Sequence, residues 1–356
     1  MKLAIVLGTR PEIIKLAPII KKLNKKSSSL IFTGQHFDYD MSMQFIHQLG
    51  IRQPDHSMKI SRAKPAIQIG EIIKNLSKIL EKEKPDSVIV QGDTNTVLAA
   101  GISSLKSGIP ISHVEAGLRS FDWRMPEEHN RIVIDHISEF LFAPTQLSKN
   151  YLISEKVHGK IYVTGNTIID AVNQYSKISK MKSKLSVETD DYILLTLHRT
   201  ENVDNKKILV SIIKAIIDSK KEFIFPVHPR TLQRLHDFRL YKKLSESENV
   251  LMINSIGYFE MLELMKNCDF IVTDSGGIQE EATAPSIRKK VVVVRKTTDR
   301  PEIVSAGYSE IAGISYKSIL KSIKKNSMNL KIPNKKSPYG NGNSAKTIIQ
   351  QLKKNL

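Results

Sequence analysis

The fold is most clearly indicated by residues 2–24, KLAIVLGTRPEIIKLAPIIKKLN. In this stretch a short apolar run ends in a glycine turn, and a longer periodic segment follows. Residues 2–8 are apolar without alternation after Lys2, which is typical of a strand buried on both faces of a parallel sheet. Residues 11–24 carry apolar side chains at helical spacing, and Pro11 suits the first turn of a helix. The stretch predicts one β-strand followed by one α-helix, the repeating unit of an open α/β sheet.

The same pattern recurs in two series along the 356 residues. The further predicted strands are 30–34, 87–92, 111–115, 139–144 and 161–165 in the first series, and 192–198, 222–228, 250–255, 270–275 and 290–295 in the second. Residues 177–190 are polar and lysine-rich without the spacing of either element, and we interpret them as a linker. We therefore predict two α/β domains whose strand ends face a cleft, where such folds bind ligands.

The net charge of +18 is concentrated near the C-terminus. Residues 311–356 contain ten lysines and no Asp or Glu, so they carry about +10 of the total. These lysines alternate with apolar residues such as Ile319 and Ile348, which indicates amphipathic helices with solvated faces, although binding of a polyanion is the alternative. Because aromatic residues make up only 6% and do not interleave with basic ones, we expect no nucleic-acid partner.

The N-terminus and the cysteine content exclude other classes. The apolar run before Arg10 is too short for a signal peptide or a membrane span, so we expect a cytoplasmic protein with no membrane partner. The single cysteine, Cys268, cannot form an internal disulfide, and no Cys/His pair has the spacing of a zinc site. We expect no metal.

Charged side chains follow several predicted strands of the first series. Arg10 and Lys15 lie at the start of the first helix, where they could clamp an anion, or be ordinary surface charges beside a glycine turn. Asp93, Glu115 and Glu127 come after strands or at a helix start. Asp93 could be a helix cap and Glu127 could complement a helix dipole. Three carboxylates at neighbouring strand ends favour acid and base groups instead.

In the second series, TDSGGIQEE (273–281) is the strongest local signal. Ser275, Gly276 and Gly277 open a helix after a strand, so backbone N–H groups and a hydroxyl could bind a phosphate, and Glu281 could bind a ribose. The alternative is a simple serine cap followed by a solvated acidic turn.

Two histidines, His198 and His228, occupy matching positions at adjacent strand ends, which favours a functional over a structural role. The only GxGxxG-like string, GNGNSA (340–345), is far from any predicted strand, and no P-loop motif occurs. The pattern suggests a diphosphate ligand without NAD and without NTP hydrolysis, so we expect no cofactor.

Together these motifs resemble, in order and over nearly the whole chain, the non-hydrolysing UDP-N-acetylglucosamine 2-epimerases. The matching segments are GTRPEIIKLAP, QGDTNTVLA, HVEAGLRS, MPEEHNR, VTGNTIIDA, TLHRTENVDN, TDSGGIQEE, TTDRPE and SPYGNGNSA. The resemblance implies a GT-B fold of two Rossmann-like domains and a cytoplasmic homodimer. It implies an N-terminal domain of residues 1–172 joined by a C-terminal helix, 343–356, and a UDP-binding domain of residues 173–342.

The resemblance also implies the reaction, interconversion of UDP-GlcNAc and UDP-ManNAc, by elimination of UDP to 2-acetamidoglucal and re-addition. It assigns Asp93, Glu115 and Glu127 to proton transfer, with Lys15 in support, and His198 and Arg10 to the departing diphosphate. Ser275, Gly276 and Gly277 would bind phosphate oxygens and Glu281 the ribose. Within residues 111–131, Glu128, Arg119 and Arg131 are expected to hold the segment in place through ion pairs.

Two segments depart from the family pattern. Phe37 and Asp38 stand where many bacterial members carry Arg-Glu and bind a second, activating UDP-GlcNAc, so we do not expect that regulatory site. Residues 280–302 contain a two-residue insertion, lack the usual Gly-Lys-Pro turn and have Lys296 in place of an acidic residue. This difference affects the local turn and leaves Ser275 and Glu281 unchanged.

Four other functions are compatible with these motifs. A 2-epimerase of another UDP-sugar, such as a UDP-diacetamido-uronic acid, would use the extra lysines for an acidic sugar. A hydrolysing epimerase would release free ManNAc and UDP. A GT-B glycosyltransferase would share the phosphate site but has no need of three carboxylates. A polyanion-binding protein would use the lysine-rich tail.

Overall fold

A computed structural model describes residues 1–35, 39–61, 63–183, 191–332 and 334–356 of the chain. The chain forms two compact units, unit 1 (Met1–Ala171 with Tyr339–Leu356) and unit 2 (Val172–Pro338). Each unit has its own parallel sheet, so the predicted α/β class is confirmed. The C-terminal segment of unit 1 begins at the buried Tyr339, whose carbonyl accepts a hydrogen bond from the Asn166 N–H at 2.9 Å.

Unit 1 is built on seven parallel strands. They are β1 (Leu3–Leu7), β2 (Ser28–Phe32), β3 (His56–Ser57), β4 (Ser87–Gln91), β5 (Ile111–Val114), β6 (Phe140–Ala143) and β7 (Lys160–Val163). Their order in the sheet is β3-β2-β1-β4-β5-β6-β7. Every residue of β1, β2, β4, β5 and β6 is buried, so apolar residues do not alternate with exposed polar ones along these strands.

Helices connect the strands of unit 1. They are α1 (Arg10–Ile20), α2 (Tyr39–Gln48), α3 (Pro65–Glu83), α4 (Asn95–Lys106), α5 (Pro126–Ile137), α6 (Gln146–Ser154), α7 (Thr167–Tyr175) and, from the C-terminus, α17 (Ser344–Asn355). Pro11 lies in the first turn of α1, as predicted. The chain passes from unit 1 to unit 2 within α7.

Unit 2 repeats the architecture with six parallel strands. They are β8 (Ile193–Thr196), β9 (Phe223–Pro226), β10 (Val250–Ile253), β11 (Ile271–Thr273), β12 (Val291–Val293) and β13 (Ser309–Ile311), in the order β10-β9-β8-β11-β12-β13. Its further helices are α8 (Ser179–Lys182), α9 (Thr200–Val203), α10 (Lys206–Asp218), α11 (Pro229–Asp237), α12 (Tyr241–Ser245), α13 (Tyr258–Asn267), α14 (Gly276–Ala282), α15 (Pro301–Ser305) and α16 (Tyr316–Met328).

The strand order reverses once in each sheet, between β1 and β4 in unit 1 and between β8 and β11 in unit 2. At such a switch point the connecting helices diverge to opposite faces and leave a crevice at the carboxyl ends of the strands. Arg10 follows β1 and Asp93 follows β4, whereas His198 follows β8 and Ser275 follows β11. The predicted site residues of each unit therefore lie on both sides of its switch point.

The linker interpretation of residues 177–190 was wrong for residues 177–183. This part belongs to unit 2, where α8 packs against α13 and the buried Ser179 donates a hydrogen bond through Oγ to Glu263 Oε1. The polar sequence gave no sign of this short helix, because the hydrogen-bond partner of Ser179, Glu263, is distant in sequence. Residues 184–190 lie outside the described residues.

The lysine-rich C-terminal segment forms the predicted amphipathic helices. Ile319 and Ile323 of α16 and Ile348 and Leu352 of α17 are buried, while all ten lysines are exposed. Within the described residues no helix combines the length and apolar character needed to cross a membrane.

Candidate active site

The turn after β1 is built around the carboxyl group of Glu12. This group accepts hydrogen bonds from the backbone N–H groups of Gly8 and Thr9, at 2.6 and 2.8 Å, and from Thr94 Oγ1 at 2.5 Å. Thr94 caps α4 directly after Asp93, so Glu12 ties the β1 turn to the β4 turn. Burial raises the pKa of Glu12 to about 7, although the hydrogen bonds oppose this shift.

Glu115 lies at the end of β5 among hydrogen-bond donors. Lys15 Nζ is 2.5 Å from Glu115 Oε2, and the side-chain amides of Gln91 and Asn166 donate to the same oxygen at 3.1 Å. The carboxylate is only 6% exposed. The backbone of Glu115 has a φ of 73°, a left-handed conformation that costs a non-glycine residue about 1–2 kcal/mol and that recurs at functional sites.

Asp93, at the end of β4, is held from α5. Arg131 donates to Asp93 Oδ2 through Nε at 3.1 Å and also through Nη2, and Asn130 Nδ2 donates to the Asp93 carbonyl at 2.8 Å. The same guanidinium donates through Nη1 to Glu128 Oε2 at 2.9 Å. Asp93 thus keeps a fixed position while its side chain remains 27% exposed.

The two neighbouring glutamates of α5 differ completely. Glu128 is buried and accepts hydrogen bonds from the backbone N–H groups of Ser120 and Phe121 and from Ser120 Oγ, so it holds the loop before α5. Glu127 is exposed, and among the described residues none forms a hydrogen bond or ion pair with its side chain. The expectation that Glu128 and Arg131 hold this segment through ion pairs is confirmed.

A buried ionic network lies beneath the β4 and β5 turns. His113 Nε2 donates to the Gly92 carbonyl at 2.9 Å, and Nδ1 lies 2.7 Å from Asp135 Oδ1. Arg119 forms ion pairs with Asp135 and Glu155, at 2.7 and 2.6 Å, as expected of a structural role. Burial alone would raise the pKa of Asp135, but the charges of His113 and Arg119 hold it below its usual value.

The remaining predicted residue of unit 1, Arg10, is exposed at the first position of α1. Its guanidinium lies 4.6 Å from the centroid of the Phe45 ring, a distance at which the ring face attracts a cation. Lys15, one turn later, points to Glu115 instead, so the two cations of the GTRPE segment have different surroundings.

In unit 2, the buried Asp274 organises the turn after β8. Its carboxylate accepts hydrogen bonds from the backbone N–H groups of His198 and Arg199, at 3.0 and 3.1 Å, and from Asn202 Nδ2 at 3.1 Å. His198 Nε2 lies 4.0 Å from Asp274 Oδ1. Asp274 therefore fixes the backbone that carries the His198 side chain.

The rings of His198 and His228 lie with their centroids 5.9 Å apart. Partial burial lowers the pKa of His198, and the nearby Arg199 adds to this effect against the opposing charge of Asp274. Burial and Arg230 likewise lower the pKa of His228. Both imidazoles are therefore predominantly neutral at pH 7 and can each act as donor or acceptor.

The SGG turn after β11 forms as predicted. Ser275 is the N-cap of α14, and its Oγ accepts a hydrogen bond from Ile278 N–H at 3.4 Å. A Cβ added to Gly276 or Gly277 would meet its nearest side-chain atoms only at 3.6 Å and 3.9 Å, which are ordinary contact distances. Packing within the protein does not require these glycines, although Gly276 itself is buried. Glu281, in the next turn, is buried.

Sequence reasoning missed the arginines around Asp299. Arg295 Nη1 and Arg300 Nη1 lie 2.8 and 3.0 Å from the Asp299 carboxylate, and Arg199 Nη2 lies 3.8 Å away. Burial alone would raise the pKa of Asp299, but these three charges hold it far below its usual value. The TTDRPE segment contains Asp299 and Arg300, and Arg295 lies four residues before Asp299, but Arg199 is distant in sequence and nothing in the spacing marks it as a neighbour.

Gln91 and Asn166, which donate to Glu115, are less conspicuous in the sequence than the charged residues. Gln91 is the last residue of β4 and Asn166 follows β7, so both are polar residues at strand ends, as the predicted ones are. Their amides lack the charge that drew attention to Asp93 and Glu115.

The departure at residues 280–302 has a simple backbone consequence. Arg288 has a left-handed backbone with a φ of 50° in the segment that lacks the Gly-Lys-Pro turn. Lys290 donates through Nζ to the Gly307 carbonyl at 2.7 Å. Phe37 and Asp38, on which the regulatory-site expectation rests, lie outside the described residues.

Comparison with known proteins gives one consistent result. Residues 20–353 match the model of a family described as UDP-N-acetylglucosamine 2-epimerase. The chain is 44% identical to the UDP-N-acetylglucosamine 2-epimerase of Methanocaldococcus jannaschii over 99% of both chains. It is 35% identical to the UDP-2,3-diacetamido-2,3-dideoxy-D-glucuronate 2-epimerase of Pseudomonas aeruginosa, over 99% of this chain and 100% of that one.

The fold agrees with a solved structure. The crystal structure of M. jannaschii UDP-GlcNAc 2-epimerase in complex with UDP-GlcNAc and UDP matches with a TM-score of 0.87 at 43% identity, covering 100% of both chains. The predicted GT-B fold is confirmed by this likeness.

Proposed function

Because the chain belongs to the UDP-N-acetylglucosamine 2-epimerase family, we propose that it interconverts UDP-GlcNAc and UDP-ManNAc without releasing free sugar. The enzyme is thus an isomerase. The substrate follows from the M. jannaschii relative, whose structure holds UDP-GlcNAc and UDP.

The chemistry of the sugar selects a route. The hydrogen on C2 has no adjacent carbonyl, so its direct removal and return is too slow to be useful. Elimination of UDP, with loss of the C2 proton, gives enzyme-bound 2-acetamidoglucal, and re-addition of UDP with protonation from the other face gives the epimer. This route needs proton-transfer groups on both faces and a site that stabilises the departing diphosphate.

The Lys15–Glu115 pair is the single observation that carries the proposal. A nearly buried carboxylate in contact with an ammonium, on a strained backbone at a strand end, is typical of a proton-transfer group. Asp93 and Glu127 complete the proposed set, and Lys15 supports it. The partial exposure of Asp93 and the exposure of Glu127 leave both accessible to a substrate.

The proposed diphosphate and nucleotide contacts come from other strand ends. His198 and Arg10 would stabilise the departing diphosphate, with His228 beside His198. Ser275, Gly276 and Gly277 would donate to phosphate oxygens at the start of α14, where added Cβ atoms would obstruct only a ligand. Glu281 would accept hydrogen bonds from the ribose.

Proton NMR of the purified protein with UDP-GlcNAc in D2O tests the proposal, with no NAD and no metal added. We expect UDP-ManNAc to appear, with deuterium at C2 of both sugars and no free ManNAc. Accumulation of free ManNAc and UDP would instead indicate a hydrolysing epimerase. Unchanged UDP-GlcNAc, with a folded protein that binds UDP, would refute the substrate.

One other substrate has a specific observation in its favour, because the P. aeruginosa relative named for UDP-2,3-diacetamido-2,3-dideoxy-D-glucuronate matches the full chain. The lower identity, 35% against 44%, places it second. Parallel assays with both sugars separate the two activities. As the family resemblance implies, we further propose a cytoplasmic homodimer whose ligand is the UDP-sugar, without a membrane or nucleic-acid partner.

A further inference from the structure

The two oxygens of the Glu115 carboxylate have different surroundings. Oε2 accepts from Lys15 Nζ at 2.5 Å, from Gln91 Nε2 at 3.1 Å and from Asn166 Nδ2 at 3.1 Å. No described residue donates a hydrogen bond to Oε1. Three donors on one oxygen fix the orientation of the carboxylate plane, so that the other oxygen is left for a ligand.

The two amide donors are themselves immobile. Gln91 ends the buried strand β4, where it pairs with Val114 of β5, and it is 3% exposed. Asn166 is 2% exposed, its Oδ1 accepts the Ile168 N–H at 3.0 Å, and its own N–H donates to the Tyr339 carbonyl at 2.9 Å. Because Oδ1 is already an acceptor for a backbone N–H, the amino group of Asn166 must face Glu115.

The lysine alone would not fix the orientation of the carboxylate. An ammonium is a compact charge on a flexible chain, and it can follow the carboxylate as it rotates. A planar amide directs its N–H along one line, and Asn166 Oδ1 is itself held by the Ile168 N–H, so Gln91 and Asn166 provide the directional part of the site.

We infer that Gln91 and Asn166 are positioning residues that hold Glu115 Oε2, so that Oε1 exchanges the proton on C2 of the sugar. This inference rests on the proposed epimerase function. In one direction of the reaction Oε1 takes the C2 proton as the C1–O bond to the diphosphate breaks, and in the other it returns that proton to C2 as the bond forms again. Electrons of the C2–H bond become the C1–C2 double bond, and the electrons of the C1–O bond leave with UDP.

The variants Gln91→Met and Asn166→Leu test the inference. Each replaces one amide donor with an apolar side chain of similar size. We expect kcat to fall about 10- to 100-fold, because a misplaced proton acceptor slows only the chemical step, while KM changes less than about 2-fold. Proton transfer should then limit the rate, so the primary deuterium isotope effect on kcat should rise with one of the two 2-deuterated epimers. The other epimer is deprotonated on the opposite face and should show no rise.

Asn326→Leu is the matched control. Asn326 is 3% exposed and donates through Nδ2 to Glu310 Oε1 at 3.0 Å and to the Ser322 carbonyl at 2.8 Å, so the control loses a partly buried bond from an amide to a carboxylate in α16 of unit 2. It should lose similar stability and keep the wild-type kcat and isotope effect. UDP binding shows which variants are folded, and Asn166→Asp, which retains the shape and removes the donor, replaces Asn166→Leu if that variant does not fold.

Wild-type kcat and isotope effects in folded Gln91 and Asn166 variants would overturn the inference while leaving the epimerase function intact. An equal loss of kcat in Asn326→Leu, with no change in any isotope effect, would also overturn it, because loss of stability would then explain the result. If the wild-type protein binds UDP but does not form UDP-ManNAc, the proposed function fails, and the inference fails with it.

Discussion

Two buried carboxyl groups at strand ends, Glu12 in unit 1 and Asp299 in unit 2, have opposite environments. In unit 1, Glu12 is enclosed by N–H and O–H donors, and burial raises its pKa to about 7. In unit 2, Asp299 is enclosed by three arginines that hold its pKa far below the usual range. One environment keeps a proton within reach at neutral pH, whereas the other keeps a permanent negative charge.

This difference indicates a division of labour. The carboxylate of Asp299 orients Arg199, Arg295 and Arg300, and Asp274 orients the backbone that carries His198, so unit 2 presents cations and N–H donors. Such groups suit an anionic ligand. In unit 1 the donors converge on Glu115 itself, so the oriented group is a carboxylate, as proton transfer requires.

Glu115→Gln should have the largest effect. The amide cannot exchange a proton, so kcat should fall about 10³- to 10⁴-fold, near the upper end for a general acid or base. The affinity for UDP should stay within about 2-fold, since the proposed diphosphate and nucleotide contacts, apart from Arg10, lie in unit 2. Steady-state kinetics and calorimetric titration with UDP measure the two quantities. A loss of UDP affinity as large as the loss of kcat would contradict the proposed separation of proton transfer in unit 1 from UDP binding in unit 2.

Asp299→Asn should mainly reduce stability. The neutral amide leaves three arginines without their shared counter-ion, and removing one partner from a buried ion pair costs about 3–5 kcal/mol. Urea unfolding at pH 7 measures the change in the free energy of unfolding. Asp237→Asn, at an ion pair on the surface with Arg234, should change it far less. Similar effects of both variants would refute the role of Asp299.

Glu12→Gln should change how stability depends on pH. The pKa of Glu12 is raised from 4.5 to about 7, so the folded state favours the protonated form. Its contribution is fully present below pH 4.5 and is lost as the pH rises through about 7, a change of about 3 kcal/mol. Glutamine does not ionise, so the variant should gain stability relative to wild type between pH 5 and pH 8. If the free energies of unfolding of wild type and Glu12→Gln differed by the same amount at every pH from 5 to 8, the raised pKa of Glu12 would be contradicted.

Asp299 should show the reverse dependence on pH. Its pKa is lowered, so its contribution is present above pH 3.8 and is lost as the pH falls through the folded-state value. The wild-type advantage over Asp299→Asn should therefore shrink only in strong acid, whereas the Glu12 difference develops near neutrality.

Ser275→Ala should have the smallest effect. It removes the cap of α14 and one hydroxyl donor, together worth about 1.4 kcal/mol, so we expect UDP to bind about 10-fold more weakly. The value of kcat should change less than about 3-fold, because the proton-transfer groups lie elsewhere. Calorimetric titration and kinetics check this prediction. A large loss of kcat at unchanged UDP affinity would place Ser275 in the chemistry instead.

Much of the fold follows from the sequence because parallel strands buried on both faces are apolar without interruption, as β1 and β4 are. The strands β3 and β13 were missed, since two or three residues give no pattern. Residues 177–183 were misinterpreted because the partner of Ser179, Glu263, is distant in sequence.

Sequence reasoning singled out the charged candidates for the site, Glu115 and Asp93 among them, because charge at a strand end is conspicuous. It missed Gln91, Asn166, Asp274 and Asp299, whose contacts join distant segments. The raised pKa of Glu12 could not be predicted either, because it results from complete burial, which the sequence does not reveal.

Positional isotope exchange tests the central claim, that unit 2 holds a diphosphate which leaves the sugar while unit 1 moves the C2 proton. UDP-GlcNAc is prepared with ¹⁸O in the bridge between C1 and the β-phosphorus, and the wild-type enzyme is followed by ³¹P NMR. We predict that the label moves from the bridge into non-bridging positions during epimerisation, because the C1–O bond breaks and the freed β-phosphate rotates. Epimerisation with the label still confined to the bridge would contradict the elimination route and the division between the two units.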